Sequence, residues 1–131
     1  MSVDMKMPVL IVDDYATMLR IVKNLLKQIG FENVDEATDG GSAFQMMKLK
    51  KYGLVISDWN MQPVTGIEFL RHVRADADLR ATPFIMVTAE SKTDNVIAAK
   101  AAGVNNYIVK PFTTEILKAK LEDTYKKVAK R

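Results

Sequence analysis

Three aspartates, a threonine and a lysine in this 131-residue chain each follow a short apolar run. Asp13-Asp14 follows Pro8–Val12, Asp58 follows Leu54–Ser57 with Asn60 two residues on, Thr88 follows Phe84–Val87, and Lys110-Pro111 follows Tyr107–Val109. If the runs are buried strands, all these side chains lie at one edge of the sheet. Neighbouring strands are about 4.8 Å apart. Carboxylates about 5 Å apart repel by roughly 3 kcal/mol per pair at an effective dielectric near ~20. A proton, Lys110 or a bound cation could relieve this. An all-oxygen site with open water positions suits Mg²⁺, and three carboxylates with one lysine leave two negative charges for a divalent ion to neutralise. Such a group suits phosphoryl transfer, in which catalysis is mostly positioning and charge neutralisation. A carboxylate can itself accept the phosphoryl group. Neither a P-loop nor a G-x-G-x-x-G occurs, so a nucleotide is not the expected direct donor.

Each residue taken alone has a plainer role. Asp14 could cap the following helix, Asp58 could make a turn, and Thr88 could hydrogen-bond locally. Lys110 could be a solvated surface lysine, and Pro111 a turn marker. These roles do not explain why all of them stand at strand ends.

The elements that must position them can be read along the chain. Pro8–Val12 reads as a buried strand. Over residues 15–29, Met18, Val22, Leu25 and Ile29 form one helical stripe, and Gly30 is its stop. Val34–Ala37 is a second strand. Asp39-Gly40-Gly41-Ser42 opens a helix to about Lys51, with Phe44, Met47 and Leu49 inward. Leu54–Ser57 is the third strand, followed by a helix from Gly66 to Arg74 with Ile67, Leu70 and Val73 on one side. Phe84–Val87 is the fourth strand. A helix capped by Ser91 runs to Ala102 and closes at Gly103. Tyr107–Val109 is the fifth strand, and Thr113–Val128 the last helix, with Leu117, Leu121 and Val128 inward. Alternation of this kind predicts an α/β fold: a doubly wound, flavodoxin-like (βα)5 sandwich with parallel order 2-1-3-4-5. Ligands in such sheets sit beyond the carboxyl ends of the strands, at the switch between strands 1 and 3.

Composition sets the outer limits. Hydrophobic residues make up 48% and charged residues 27%, as in an ordinary globular chain. The length suits one domain, expected over residues 1–131, and no repeat or linker divides it. The absence of cysteine excludes disulfides, thiolate metal sites and a thiol nucleophile. The single His72 excludes a His-pair metal site and, mid-helix, reads as structural. Met7–Val12 is too short for a signal-peptide core or a membrane span, so a soluble, cytoplasmic protein is expected. The formal net charge is +3. Lys118–Arg131 carries six basic and two acidic residues, leaving residues 1–117 at −1. The basic character belongs to the last helix, as a solvated face or as a surface for an acidic partner.

Asp13-Asp14, Ser57-Asp58-Trp59-Asn60-Met61, Val87-Thr88-Ala89-Glu90 and Tyr107-Ile108-Val109-Lys110-Pro111-Phe112 together resemble the response-regulator receiver domains. Trp59-Asn60, Ala89-Glu90 and Tyr107 resemble the single-domain chemotaxis type in particular. The likeness runs from about Lys6 to Val128. It implies Asp58 as phosphoryl acceptor. It also implies Mg²⁺ held by Asp14, Asp58 and the backbone carbonyl of Asn60, with Asp13 acting through water. Lys110 and Thr88 would contact the phosphoryl group, Tyr107 would swing inward with Thr88, and the Lys110–Pro111 bond would be cis. The implied donor is a CheA-like histidine kinase or a small acyl phosphate, and a phosphatase is a further implied partner. Lys92, Val96, Tyr107 and Lys120 would form the surface for a FliM-like flagellar motor switch protein. A phosphate sink or relay would use the same chemistry without motor binding. The sequence departs from the family pattern at Gln62, which pushes proline to 63, and at Thr65, where an acidic residue is common.

Two other classes fit less well. Haloacid-dehalogenase phosphatases need an acid two residues after their strand-end nucleophile, where this chain has Tyr15. A flavin module needs a Ser/Thr-rich phosphate loop after strand 1, where this chain has two carboxylates that repel phosphate.

Overall fold

The computed structural model describes residues 4–89 and 93–128, the side chains of 93–95 and 127–128 excepted. Among the described residues, strands β1 (Val9–Val12), β2 (Val34–Ala37), β3 (Leu54–Asp58), β4 (Phe84–Thr88) and β5 (Asn106–Val109) alternate with helices. The helices are α1 (Ala16–Ile29), α2 (Gly40–Leu49), α3 (Gly66–Ala75), α4 (Thr93–Ala101) and α5 (Thr114–Val128). The strands pair in parallel in the order β2-β1-β3-β4-β5. This is the flavodoxin-like doubly wound sandwich that the alternation predicts. No helix among the described residues is long and apolar enough to cross a membrane.

Successive strand residues point to opposite faces, and here both faces are apolar. Val9, Ile11, Leu54, Ile56, Ile85, Val87 and Ile108 pack under Leu19, Val22 and Leu26 of α1 and Leu117 and Leu121 of α5. Leu10, Val12, Val55, Phe84 and Met86 pack on the other face under Ala43 and Met47 of α2 and Phe69, Leu70 and Val73 of α3. Burying each large aliphatic or aromatic side chain contributes about 1.5–3 kcal/mol. The result is a stiff sheet whose carboxyl edge can hold polar groups at fixed spacing.

Several inward faces differ from the sequence pattern. In α1 the buried ridge is Leu19, Val22 and Leu26, with Met18, Leu25 and Ile29 half-buried beside it. Both sets are helical stripes through Val22. The sheet beneath α1 and α5 beside it make the covered face broader than one stripe. Leu49 is 88% exposed, because it is the last residue of α2, beyond the buried turn formed by Ala43 and Met47. In α3 Phe69 is fully buried, edge-on to Phe84 at 5.3 Å, while Ile67 is half-buried. Ser91 and the side chain of Val128 lie outside the described residues.

Local chemistry sets the element ends. The Asp39 carboxylate accepts the Ser42 backbone N–H at 2.7 Å and caps α2. Thr65 and Glu68 form a reciprocal capping box at the start of α3. Gly30 takes φ 127° and donates to the Leu26 and Lys27 carbonyls, closing α1 as expected. At Gly66 a Cβ would overlap the Asp58 carbonyl and lie 2.9 Å from Met86 Sδ. Only glycine lets α3 start this close to the end of β3. Its N–H donates to the Trp59 carbonyl at 2.9 Å, closing the loop of residues 59–65.

The hydrogen bonds from Ser42 hold the Asp39 carboxyl below its ordinary pKa range. A depressed folded pKa means that the cap stabilises above the unfolded value of about 3.9 and fades as pH falls through the folded value. Asp39→Ala should therefore cost about 1 kcal/mol at pH 7 in urea unfolding. The deficit relative to the parent should shrink below pH ~4.

Candidate functional site

Val12 is paired with Ser57 across the β1–β3 ladder, so the next residues, Asp13 and Asp58, emerge side by side at the switch between these strands. Asp13, Asp14 and Asp58 each offer an oxygen, and these atoms lie within 4.8 Å of one another. Asp13 and Asp58 are only 5% and 6% exposed, whereas Asp14 faces solvent. Asp58 is the last residue of β3, paired with Val87 in the ladder. Its backbone is held further by the Ser57 hydroxyl, which donates to the Asp58 carbonyl at 3.0 Å.

Lys110 supplies the compensating charge from two strands away. Its Nζ donates to Asp58 Oδ1 at 2.9 Å and to Asp13 Oδ2 at 3.5 Å. Its backbone N–H donates to the Thr88 carbonyl at 2.8 Å, fastening the end of β5 to the end of β4. The Lys110–Pro111 bond is cis, as the family resemblance implies. Thr88 is itself buried and closes β4 opposite Val109.

The N-cap residue of α1 is Tyr15, without a side-chain cap bond, and it is Asp13 Oδ1 that accepts the Tyr15 N–H at 3.0 Å. Asp14 is thus not a helix cap, and it makes no hydrogen bond or ion pair among the described residues. Asp58 is a strand residue, not a turn former. The Lys110 side chain is 20% exposed and ion-paired, not solvated. Burial pushes the Asp13 carboxyl above its ordinary pKa, and the charge of Asp58 adds to this, against the Tyr15 N–H and Lys110. One ammonium does not satisfy three carboxylates. Their hard oxygen donors, with Asp14 open to solvent, fit a hard divalent cation.

The remaining sequence candidates lie away from the acid cluster or beyond it in the loop after β3. Asn60 is exposed in the loop two residues beyond Asp58. Tyr107 is half-buried on β5, with Lys120 Nζ 5.0 Å from its ring centroid. Val96 on α4 is half-buried, and Lys92 lies outside the described residues. His72, read from the sequence as mid-helix, lies exposed in the last turn of α3 and meets Phe44 edge-on at 6.2 Å. In the divergent loop, Met61 is buried, the Gln62–Pro63 bond is cis, and Thr65 serves as the cap of α3. Sequence reasoning missed Asn106. It is buried, and its Nδ2 donates to Asp123 Oδ2 at 2.9 Å on α5. The polar pair Asn105-Asn106 looks like a loop, and only the ladder shows the second residue to be in a strand.

Residues 9–122 match the family model of the response regulator receiver domain, and the chain belongs to that family. It is a CheY-like receiver: a phosphoacceptor that promotes only its own phosphorylation and dephosphorylation and does not act as an enzyme on other substrates. It is 51% identical to the chemotaxis protein CheY of Pseudomonas aeruginosa over 122 residues, covering 93% of this chain and 98% of that protein. It is 49% identical to CheY-3 of Vibrio cholerae, covering 93% and 94%. Among solved structures, Vibrio cholerae CheY4 superposes with a TM-score of 0.84 at 33% identity, covering 91% of this chain and 98% of that one. The receiver domain of the Pseudomonas aeruginosa sensor kinase PA1611, solved with magnesium in its active-site cleft, gives 0.81 at 25% identity, covering 89% and 95%.

Asp14→Asn removes a full charge from the acid cluster without disturbing a cap or an ion pair. A unit charge about 4 Å from a divalent ion is worth about 2 kcal/mol even in bulk water. Mg²⁺ binding, followed by calorimetry, should weaken at least tenfold, while the urea midpoint should hardly move.

Proposed function

We propose that the chain is a single receiver domain over residues 1–131, acting in the cytoplasm as a phosphorylation-dependent chemotaxis switch. Asp58 is the acceptor and Mg²⁺ the resident ion. The observation that carries this is the buried Asp58 carboxylate, bonded to Lys110 at 2.9 Å within a set of three acids. The likeness to a receiver solved with magnesium in its cleft supports the ion. The 49–51% identity to chemotaxis proteins supports the pathway.

The roles are those that the receiver resemblance implies. Asp14, Asp58 and the Asn60 carbonyl would hold the ion, with Asp13 acting through water. When bound, the ion offsets the charge that an anionic phosphodonor brings to an acidic site. Asp58 presents a carboxylate oxygen to phosphorus. Its other partner, Lys110 Nζ, stands close enough to pair with a phosphoryl oxygen as that group arrives. Thr88, at the end of the adjoining strand, donates its hydroxyl to the same group, and Tyr107 follows Thr88. The donor is a CheA-like histidine kinase or a small acyl phosphate, and a phosphatase assists the reset. The face made by α4, β5 and α5, with Lys92, Val96, Tyr107 and Lys120, then binds a FliM-like motor switch protein. The excess of positive charge over residues 118–131, six basic against two acidic, favours an acidic segment there.

Intact-mass measurement with acetyl phosphate and Mg²⁺ should show one phosphoryl group on the parent chain and none on Asp58→Asn. Full labelling of that variant would refute the acceptor assignment. Thr88→Ala should still be labelled, yet its affinity for a motor-switch peptide should no longer rise on phosphorylation. A parent chain that is labelled but gains no affinity for that peptide would make it a phosphate sink or relay instead.

A further inference from the structure

Tyr107 and Lys120 meet across a joint whose backbone is fixed on both sides. On the strand side, buried Asn106 precedes Tyr107 and accepts its N–H through Oδ1 at 3.0 Å. Through Nδ2 the same asparagine donates to the Lys120 carbonyl at 3.4 Å, to Asp123 Oδ2 at 2.9 Å and to Thr124 Oγ1 at 3.3 Å. On the helix side, Thr124 Oγ1 donates to the Lys120 carbonyl at 2.7 Å. One buried side chain thus ties the turn bearing Lys120 to the strand bearing Tyr107. What stays adjustable is the pair of side chains between them, with Lys120 Nζ 5.0 Å from the ring centroid. Among the described residues the ammonium has no carboxylate partner, and the ring is the group it faces.

We propose that Lys120 is a latch on Tyr107, holding the ring in its half-exposed position until an acidic group of a partner takes the ammonium. The proposal rests on the reading above, that Tyr107 moves on phosphorylation. A cation over a partly exposed ring biases a two-position equilibrium about two- to fivefold. An exposed ion pair with a partner carboxylate is of similar strength, so the ammonium can change partners at little net cost. The coupling runs both ways. A partner that draws Lys120 away releases Tyr107, and phosphorylation that draws Tyr107 inward frees the ammonium for the partner. The same lysine thereby restrains the resting protein and offers a charge in the active one. Lys120 is a positioning residue in this scheme; it lies outside the acid cluster.

The test uses the full chain labelled with 3-fluorotyrosine, the Tyr107 resonance being assigned by its loss in Tyr107→Phe. Without phosphodonor, Lys120→Met should move the Tyr107 fluorine resonance toward its position in the parent treated with acetyl phosphate and Mg²⁺. The shift should correspond to a two- to fivefold rise in the inward population. Lys120→Arg keeps a cation that stacks on aromatic faces and should restore the parent position. An unmoved resonance in Lys120→Met overturns the latch. A resonance that moves in Lys120→Met, but not in the parent with acetyl phosphate, overturns the switch reading instead and leaves Lys120 a packing contact.

Discussion

Like charges brought together out of water are the constraint on which this structure turns. Asp13 and Asp58 are nearly buried, share a cluster with Asp14, and have one ammonium between them. Acids so placed repel, and burial first, with the Asp58 charge adding to it, holds the Asp13 carboxyl above its ordinary pKa. A protein that only needed stability would fill this edge with apolar residues. Retaining the cluster makes sense for a site that takes up positive charge and then an anion. The sheet makes it tolerable, because strands buried on both faces hold each acid at a fixed ladder spacing. The backbones of Asp13 and Asp58 cannot move apart without breaking the β1–β3 register.

From the cluster, contiguous contacts lead to the outer surface. Lys110 touches Asp58 with its side chain and the Thr88 carbonyl with its backbone. Thr88 lies opposite Val109 in the β4–β5 ladder, and three residues back along β5 Asn106 bonds into α5. The receiver thus places its acid cluster and the half-buried Tyr107–Lys120 pair on strands and helices that share hydrogen bonds. A similar economy appears at Gly66, where the lack of a Cβ lets α3 start against the Asp58 carbonyl. The departure from the family pattern at Gln62 is absorbed in the loop between Trp59 and Gly66. Both ends of that loop are fixed by the Gly66–Trp59 hydrogen bond.

The fold and the acid cluster were legible in the residues for a specific reason. Apolar runs of four or five residues that alternate with helical stripes leave few packings other than a covered parallel sheet, and a parallel sheet sends every strand end to the same edge. The placement of Asp13, Asp14, Asp58, Thr88 and Lys110 follows from that alone. The resemblance to receivers added their roles and the cis bond before Pro111. Strand limits were less legible. Asp58, Thr88 and Asn106 look like terminators because they are polar, yet the ladder bonds backbone groups whatever side chain they carry.

Tertiary contacts decided the rest. Whether Met18 or Leu19 leads the buried ridge of α1 depends on how the helix is rolled against α5 and the sheet, which the 3.6-residue period leaves open. Leu49 reads as inward by spacing, but it lies at the end of α2, where no neighbour remains to cover it. Asp13, not Asp14, bonds the N-cap residue of α1, because burial turns one of two adjacent acids inward and leaves the other to solvent. The sequence by itself determined which residues share the reactive edge, since chain order and strand direction are local properties. Only the folded structure decided which acid is buried, which lysine reaches it and which lysine covers Tyr107. Those outcomes depend on side chains far apart in sequence competing for the same few ångströms of space.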